Sequence, residues 1–446
     1  MKLWQKEFEI SSEIEKFTIG KDKELDLFLA KWDVIGSIAH ITMLQSINLI
    51  TNDELTILKD ELNIILEQIE SGEFIIEPGI EDVHSQVELL LTRKLGEVGK
   101  KIHCGRSRND QVLLDLKLFS REAIKEIVTN LKELFYCLID LSEKHKSIMM
   151  PGYTHYQVAM PSSFGLLFGG WAESLVDDLI LLEGAWEITN KNPLGSAAGY
   201  GSSFPLNRKM TTELLGFKTL NWNVQAAQAG RGKTEKVISN AIASIAQTLS
   251  RLSGDICLFS NQNYGFFKLP NEITTGSSIM PHKKNPDVFE LIRAKSNKLI
   301  ALPLEISLIT TNLSTGYHRD LQIIKESFIP SIDTLIDCIK LCKFSLERIK
   351  VNEDCLSDEK YKHLFSVESV NKMVLDGLSF REAYSEVSKQ IESNQWELNT
   401  TDITWTHEGS IGNLCNDEIS NEWEKVYSRF DFESVDKSIN ELTSLN

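Results

Sequence analysis

The sequence predicts a mainly α-helical fold, and three observations carry that prediction. Only ten prolines occur, none before Pro78 or after Pro330. Proline removes a helix donor and clashes with the preceding turn, so long proline-free stretches favour helix. Three segments repeat apolar residues at alternating steps of three and four. No strand-like alternation of comparable length appears.

The first of these segments, 113–141, carries Ile124, Ile127, Leu131, Leu134, Leu138 and Leu141 on one face. The second, 162–189, aligns Phe164, Phe168, Trp171, Leu175, Leu179 and Leu182. Gly165, Gly169 and Gly170 in it leave room for a neighbouring helix. The third, 233–260, repeats without a break through Ile238, Ile242, Ile245, Leu249, Leu252, Ile256 and Phe259. Steps of three and four form a coiled-coil-like seam, and such helices are roughly 40 Å long at about 1.5 Å per residue. Their apolar surface exceeds what one small bundle buries, which favours self-association.

A chain of 446 residues predicts two or three domains. Residues 1–105 read as shorter helices broken at Gly20 and Pro78, an N-terminal helical domain. Residues 106–350 hold the long helices, and 351–446 form a small, polar, acidic C-terminal domain. The hydrophobic fraction of 42% suffices for a large core. A net charge of −17 argues against nucleic acid or an anionic membrane as partner. The N-terminus lacks a signal peptide's apolar stretch, and no apolar run approaches the roughly 18 residues of a membrane span. Seven scattered cysteines without a CxxC pair suggest free thiols in a reducing cytoplasm, not zinc or redox chemistry.

Four polar loops make little sense as helix faces. In "HCGRSRNDQ", 103–111, two arginines flank Ser107, and Asn109 or Asp110 can cap the following helix, whose N-terminus would suit an anion. In "PGYTHYQVAMP", 151–161, His155 lies beside Thr154 and is suited to proton transfer near neutral pH. In "GSSIMPHKKNPD", 276–287, a glycine and two serines could form an anion nest, with Lys283 and Lys284 adding charge. Glu290 follows on a helix. In "STGYHRDLQIIKES", 314–327, Tyr317, Gln322 and Lys325 offer a phenol, an amide and an ammonium. Singly, each loop reads equally well as a cap or a solvated turn. Together they place Arg106, Arg108, Lys283, Lys284, Arg319 and Lys325 in the loops of an acidic chain, as a pocket for a ligand with several carboxylates would. With no Walker loop, metal-ligand cluster or GxSxG elbow, acid–base chemistry is expected.

At these loops the sequence resembles the fumarase/aspartase superfamily and, within it, the argininosuccinate lyase/delta-crystallin branch. "GSSIMPHKKNPD" resembles the superfamily's signature loop. "EDVH" (81–84), "GKKIHCGRSRNDQV" (99–112), "MPGYTHYQ" (150–157), "NPLGSAAGYGSSFPLNR" (192–208), "YHRDLQ" (317–322) and "THEGSIGNL" (406–414) resemble the branch itself. The resemblance spans about residues 15–415. It implies three mostly helical domains, a homotetramer cored by the long helices, and active sites drawn from several subunits. It implies reversible β-elimination of argininosuccinate to arginine and fumarate, without cofactor or metal.

By resemblance, Ser277 is the base, His155 the acid and Glu290 its charge partner, while Lys283 and Asn285 hold the charge that develops. Asp26, Ser107, Arg108, Asn109, Thr154, Ser278, Tyr317, Gln322 and Lys325 match substrate-contacting positions, with Asp26 the partner of the substrate's cationic end. The sequence departs from the family in "MKLWQKEF" for an N-terminal "GGRF", in Tyr384 where His is usual, and in His282 where Gln is common. His282 offers a second proton-transfer candidate beside Ser277. The rival readings are an adenylosuccinate lyase-like enzyme, disfavoured by "GRSRND", and a silent crystallin-like protein, disfavoured by the presence of all these residues.

Overall fold

A computed structural model describes residues 12–398 and 403–444. The divergent "MKLWQKEF" stretch lies outside them. The chain opens with α1 (Ser12–Ile19), α2 (Asp22–Asp26), α3 (Ala30–Ser46), α4 (Asn52–Glu70), α5 (Val83–Leu95) and the single turn α6 (Glu97–Lys100). The predicted long helices follow: α7 (Arg108–Lys144), α8 (Phe164–Thr189) and, after the short α9 (Arg208–Leu214) and α10 (Val224–Gln228), α11 (Lys233–Phe259). The rest is α12 (Asp287–Ile300), α13 (Leu302–Thr310), α14 (Ile324–Leu346), α15 (Ser366–Leu375), α16 (Phe380–Glu392), α17 (Asn416–Tyr427) and α18 (Phe432–Thr443).

Helices α7, α8, α11, α12 and α14 pack on one another. The seam is buried as its periodicity predicts: Ile124, Ile127, Leu131, Leu134 and Leu138 meet Leu175, Leu179, Leu182, Ile242, Ile245 and Leu249 in one core. A second core gathers α3, α4 and α5 against Leu114 and Leu118 of α7, with Leu194, Leu215 and Phe217. A third, small cluster holds Val370, Ala383, Val387 and Trp396. Helix α7 therefore bridges the first two cores, and its N-terminus emerges where the N-terminal helices meet the bundle.

Two of the four glycines in α8 act as close-approach points. A Cβ on Gly165 would sit 2.6 Å from Lys146 Cα, and one on Gly169 would sit 3.2 Å from Ser142 Oγ. Gly170 faces open space. The long strands expected to be absent are absent among the described residues; the longest pair, β1 (Met149–Thr154) and β2 (Gln157–Ser163), is an antiparallel hairpin carrying His155. Four of the seven cysteines are buried thiols.

Candidate active site

Ser107 is extended and caps α7: its hydroxyl accepts from Asn109 N at 3.3 Å, and its own N–H donates to Asp110 Oδ1 at 2.8 Å. The cap is thus Ser107, not Asn109 or Asp110. Serine is the better cap here because Asp110 serves a second element. Its Oδ2 accepts from Gly195 N at 3.0 Å and Ala197 N at 2.8 Å, tying the 192–208 loop to the α7 start. Burial pushes the Asp110 carboxyl up, and these N–H groups oppose the shift.

Capping leaves Arg108 and Asn109 on the first turn of α7, lining a cleft of about 420 Å³. The cleft also takes Asp22 and Asp26 from α2, Glu81, Asp82 and His84 from the start of α5, and Arg231 ahead of α11. Tyr317, Arg319, Gln322 and Lys325 close it. Seven of the nine expected substrate positions therefore converge: Asp26, Ser107, Arg108, Asn109, Tyr317, Gln322 and Lys325.

Its charges are interlocked. Arg108 pairs with Asp82 at 3.0 Å and Glu81 at 3.3 Å, and donates to Ser85 Oγ at 2.7 Å. Glu81 accepts from Arg319 on its other oxygen at 3.0 Å. Arg319 and Gln322 also donate to the Thr18 carbonyl, at 3.0 and 2.9 Å, so the last turn of α1 lies against the cleft. Lys325 reaches Asp26 at 2.6 Å and Asp22 at 2.7 Å. Asp26 is buried, and its second oxygen accepts from Val83 N at 3.4 Å. Both of its oxygens are therefore engaged within the fold. Arg231 is buried beside Glu235 at 3.2 Å and donates to the Leu321 carbonyl at 3.2 Å. Gly232, at φ 80°, lets the chain turn into α11 immediately after it; Glu235 accepts from its N–H at 2.7 Å.

Beneath the cleft, buried His84 donates to Asp33 at 2.7 Å and lies 3.6 Å from Asp115. Burial alone would lower its pKa, but Asp33, Asp115 and Asp82 together outweigh burial and hold it at about 9. Donor atoms of Asp33, His84 and Asp115 lie within 4.8 Å of one another, close enough to hold a metal ion. The imidazolium and buried Arg106, which donates to Ser37 Oγ at 3.0 Å, already supply positive charge to those carboxylates.

The proton-transfer candidates are placed differently. In the signature loop, Thr275 and Asn285 pair backbone to backbone and close the loop's base. Within it, the Ser277 hydroxyl accepts from Ile279 N at 3.3 Å and Met280 N at 3.1 Å. Two N–H groups thus point at the serine oxygen itself, and they come from Ile279 and Met280 rather than from the glycine and serines expected to form a nest. Ser278, His282, Lys283 and Glu290 are exposed. His155 and Tyr156, at φ 52° and 59°, form the two-residue turn between β1 and β2. Non-glycine residues seldom hold this conformation, and two in succession fit a type I′ hairpin turn with stored strain. The turn projects Thr154 and His155 into solvent. Among the described residues no hydrogen bond or ion pair joins His155 to Glu290, and Thr154, Ser277, Ser278 and Lys283 do not line the cleft.

Asp22 and Arg231 line the cleft without having been singled out in the sequence, and Glu81, Asp82 and His84, present in the "EDVH" motif, line it without an expected role. For Asp22 a signal existed: it lies four residues before Asp26, one helical turn away on the same face. For Arg231 the flanking glycines of "GRG" were the only hint.

Residues 7–301 match the model of the family described as Lyase. A Bacteroides fragilis protein named argininosuccinate lyase is 58% identical over 437 residues, covering 98% of each chain. One of the same name from Parabacteroides distasonis is 58% identical over 441 residues, covering 99% of each. Among solved structures, an EDDS lyase variant with bound fumarate superposes with a TM-score of 0.80 at 21% identity, covering 96% of this chain and 94% of that one.

Proposed function

We propose, from the premise that the chain belongs to the argininosuccinate lyase family, that it converts argininosuccinate reversibly to L-arginine and fumarate. It is a carbon–nitrogen lyase with the fumarase/aspartase fold. Elimination removes a weakly acidic proton from the carbon beside a carboxylate and places two negative charges on that carboxylate. The step needs a base and preorganised donors where the charge grows.

Ser277 takes the proton. The observation that carries this reading is the pair of backbone N–H groups at 3.1 and 3.3 Å from its Oγ. A serine hydroxyl is a poor base unless its alkoxide is stabilised, and these donors stabilise it. Lys283, Asn285 and Ser278 meet the developing carboxylate charge. His155 protonates the leaving guanidine, with Glu290 as its charge partner. A free guanidinium is a very weak acid, so departure as a protonated group avoids expelling an anion. Ser107, Arg108, Asn109, Thr154, Tyr317, Gln322 and Lys325 hold the substrate, and Asp26 fixes Lys325. Both proton transfers run between side chains and substrate, so the scheme needs no cofactor or metal.

The cleft residues and the exposed elements carrying His155 and Ser277 meet when chains assemble. Exposed apolar residues on the bundle helices, among them Leu181, Leu291, Leu304, Leu308 and Leu341, support a homotetramer built on α8 and α12–α14. Its subunits have domains at 1–105, 106–350 and 351–446. The reaction places the chain in arginine biosynthesis, and its seven unpaired thiols suit the cytoplasm. Among the described residues no single helix is long and apolar enough to cross a membrane.

Fumarate release, followed by its ultraviolet absorbance, tests the proposal with argininosuccinate and adenylosuccinate as alternative substrates. Release from argininosuccinate is expected; release from adenylosuccinate alone would overturn it.

A further inference from the structure

The charges facing the cleft do not cancel everywhere. Arg108 and Arg319 are matched by Glu81 and Asp82, and Arg231 by Glu235. Lys325 is one cation facing two carboxylates, Asp22 at 2.7 Å and Asp26 at 2.6 Å. One negative charge is therefore left over at this end.

The two carboxylates are not equivalent. Asp26 has a side chain 4% exposed and both oxygens engaged, one by Lys325 and one by Val83 N. The Asp22 side chain is 17% exposed and takes part in a single ion pair among the described residues, through one oxygen. The surplus charge thus opens into the cleft at Asp22. A partly buried carboxylate without full compensation attracts a cation, and a charge-assisted hydrogen bond is the strong way to satisfy it.

We propose that Asp22 is a specificity-determining residue that pairs with a cationic nitrogen of the arginine half of the substrate. This rests on the reaction proposed above and moves the recognition of positive charge from Asp26 one helical turn back to Asp22. Asp26 becomes a positioning residue that holds Lys325. Two nitrogens share the required chemistry, the guanidinium and the α-ammonium.

Burial raises the Asp22 carboxyl to about 6 against the pull of Lys325, with Asp26 raising it further and Arg231 lowering it. The other titratable or charged groups on the cleft wall are Glu81, Asp82, His84, His103, Arg108, Tyr317 and Arg319. Only the ionised form of Asp22 attracts a cation, so arginine binding should weaken as pH falls through about 6.

The test is product inhibition of the intact enzyme by L-arginine, L-citrulline, Nα-acetyl-L-arginine and fumarate, in wild type and in Asp22→Asn. Citrulline lacks the guanidinium charge and Nα-acetylarginine lacks the ammonium. In wild type, one of them should inhibit about tenfold or more weakly than arginine, as loss of a charge-assisted bond predicts, and which one does so identifies the nitrogen. In Asp22→Asn the arginine advantage should collapse while fumarate inhibition is unchanged. Asp22→Glu, which keeps the charge, should retain the advantage even if Asp22→Asn folds poorly. Equal inhibition by all three amino acids in wild type overturns the proposal. So does an Asp22→Asn enzyme that weakens fumarate and arginine alike, because Asp22 would then act through Lys325. A wild-type enzyme that releases no fumarate from argininosuccinate fails at the earlier step and is told apart by that assay alone.

Discussion

The proposed recognition cleft and the proposed proton-transfer elements differ in how firmly this chain holds them. In the cleft, Asp26, Arg231 and Lys325 are buried, and each charged side chain has a partner at ion-pair or hydrogen-bond distance. In the hairpin turn, the signature loop and the first turn of α12, His155, Lys283 and Glu290 are exposed and have no ion pair among the described residues. Binding groups preorganised by burial resist reorganisation and can be held by a single fold. The groups proposed to move protons sit on exposed elements and project outward from this chain, as the proposed assembly of active sites from several subunits requires.

The comparison is sharpened most by removing the proposed base. Ser277→Ala should lower turnover by about a thousandfold or more, while arginine binding and assembly stay intact. Mixing it with an inactive Lys325→Met chain and allowing subunit exchange should restore turnover that neither parent has. No recovery would show that one chain supplies both halves and would break the comparison.

The next effect is on stability. Lys325→Met leaves Asp22 and Asp26 facing each other without their cation, and breaking a buried pair this way costs about 3–5 kcal/mol. Ser277→Ala, on an exposed loop, should shift denaturant unfolding by less than about 0.5 kcal/mol. Equal losses would mean the cleft is no more rigid than the loop.

The smallest expected effect comes from pH. His84 has a folded pKa of about 9 against an ordinary 6.5. A raised pKa contributes stability that is full below 6.5 and is lost as pH rises through about 9. At 1.36 kcal/mol per unit this amounts to roughly 3 kcal/mol at most. The unfolding midpoint of the wild type should fall over that window, and His84→Asn should flatten the slope. An unchanged slope would mean the imidazole is already neutral near pH 7.

Legibility in the sequence followed periodicity and local chemistry. The α7, α8 and α11 seams were readable because an apolar residue every three or four positions has one stable burial. The motif loops were readable because glycine, serine and basic residues cluster there without a core pattern. The cap at Ser107 was misassigned to its neighbours, since serine, asparagine and aspartate share the same capping chemistry and only the Asp110 bonds to Gly195 and Ala197 separate them. Glu81, Asp82 and His84 were quoted within a motif but given no role, because nothing in "EDVH" reveals that Arg108, Arg319 and Asp33 will stand opposite.

By itself the sequence determined a helical chain, its long bundle helices, its acidic surface and the residue types available for acid–base chemistry. These are local or periodic properties, set by backbone sterics and apolar spacing. Tertiary structure alone decided which charges cancel. Asp22 and Asp26 are chemically alike in sequence, yet packing took both oxygens of one and left the other open to the cleft. Electrostatic roles depend on distance and burial between residues some 300 positions apart, as with Lys325 and Asp26, and that information exists only once the chain has folded.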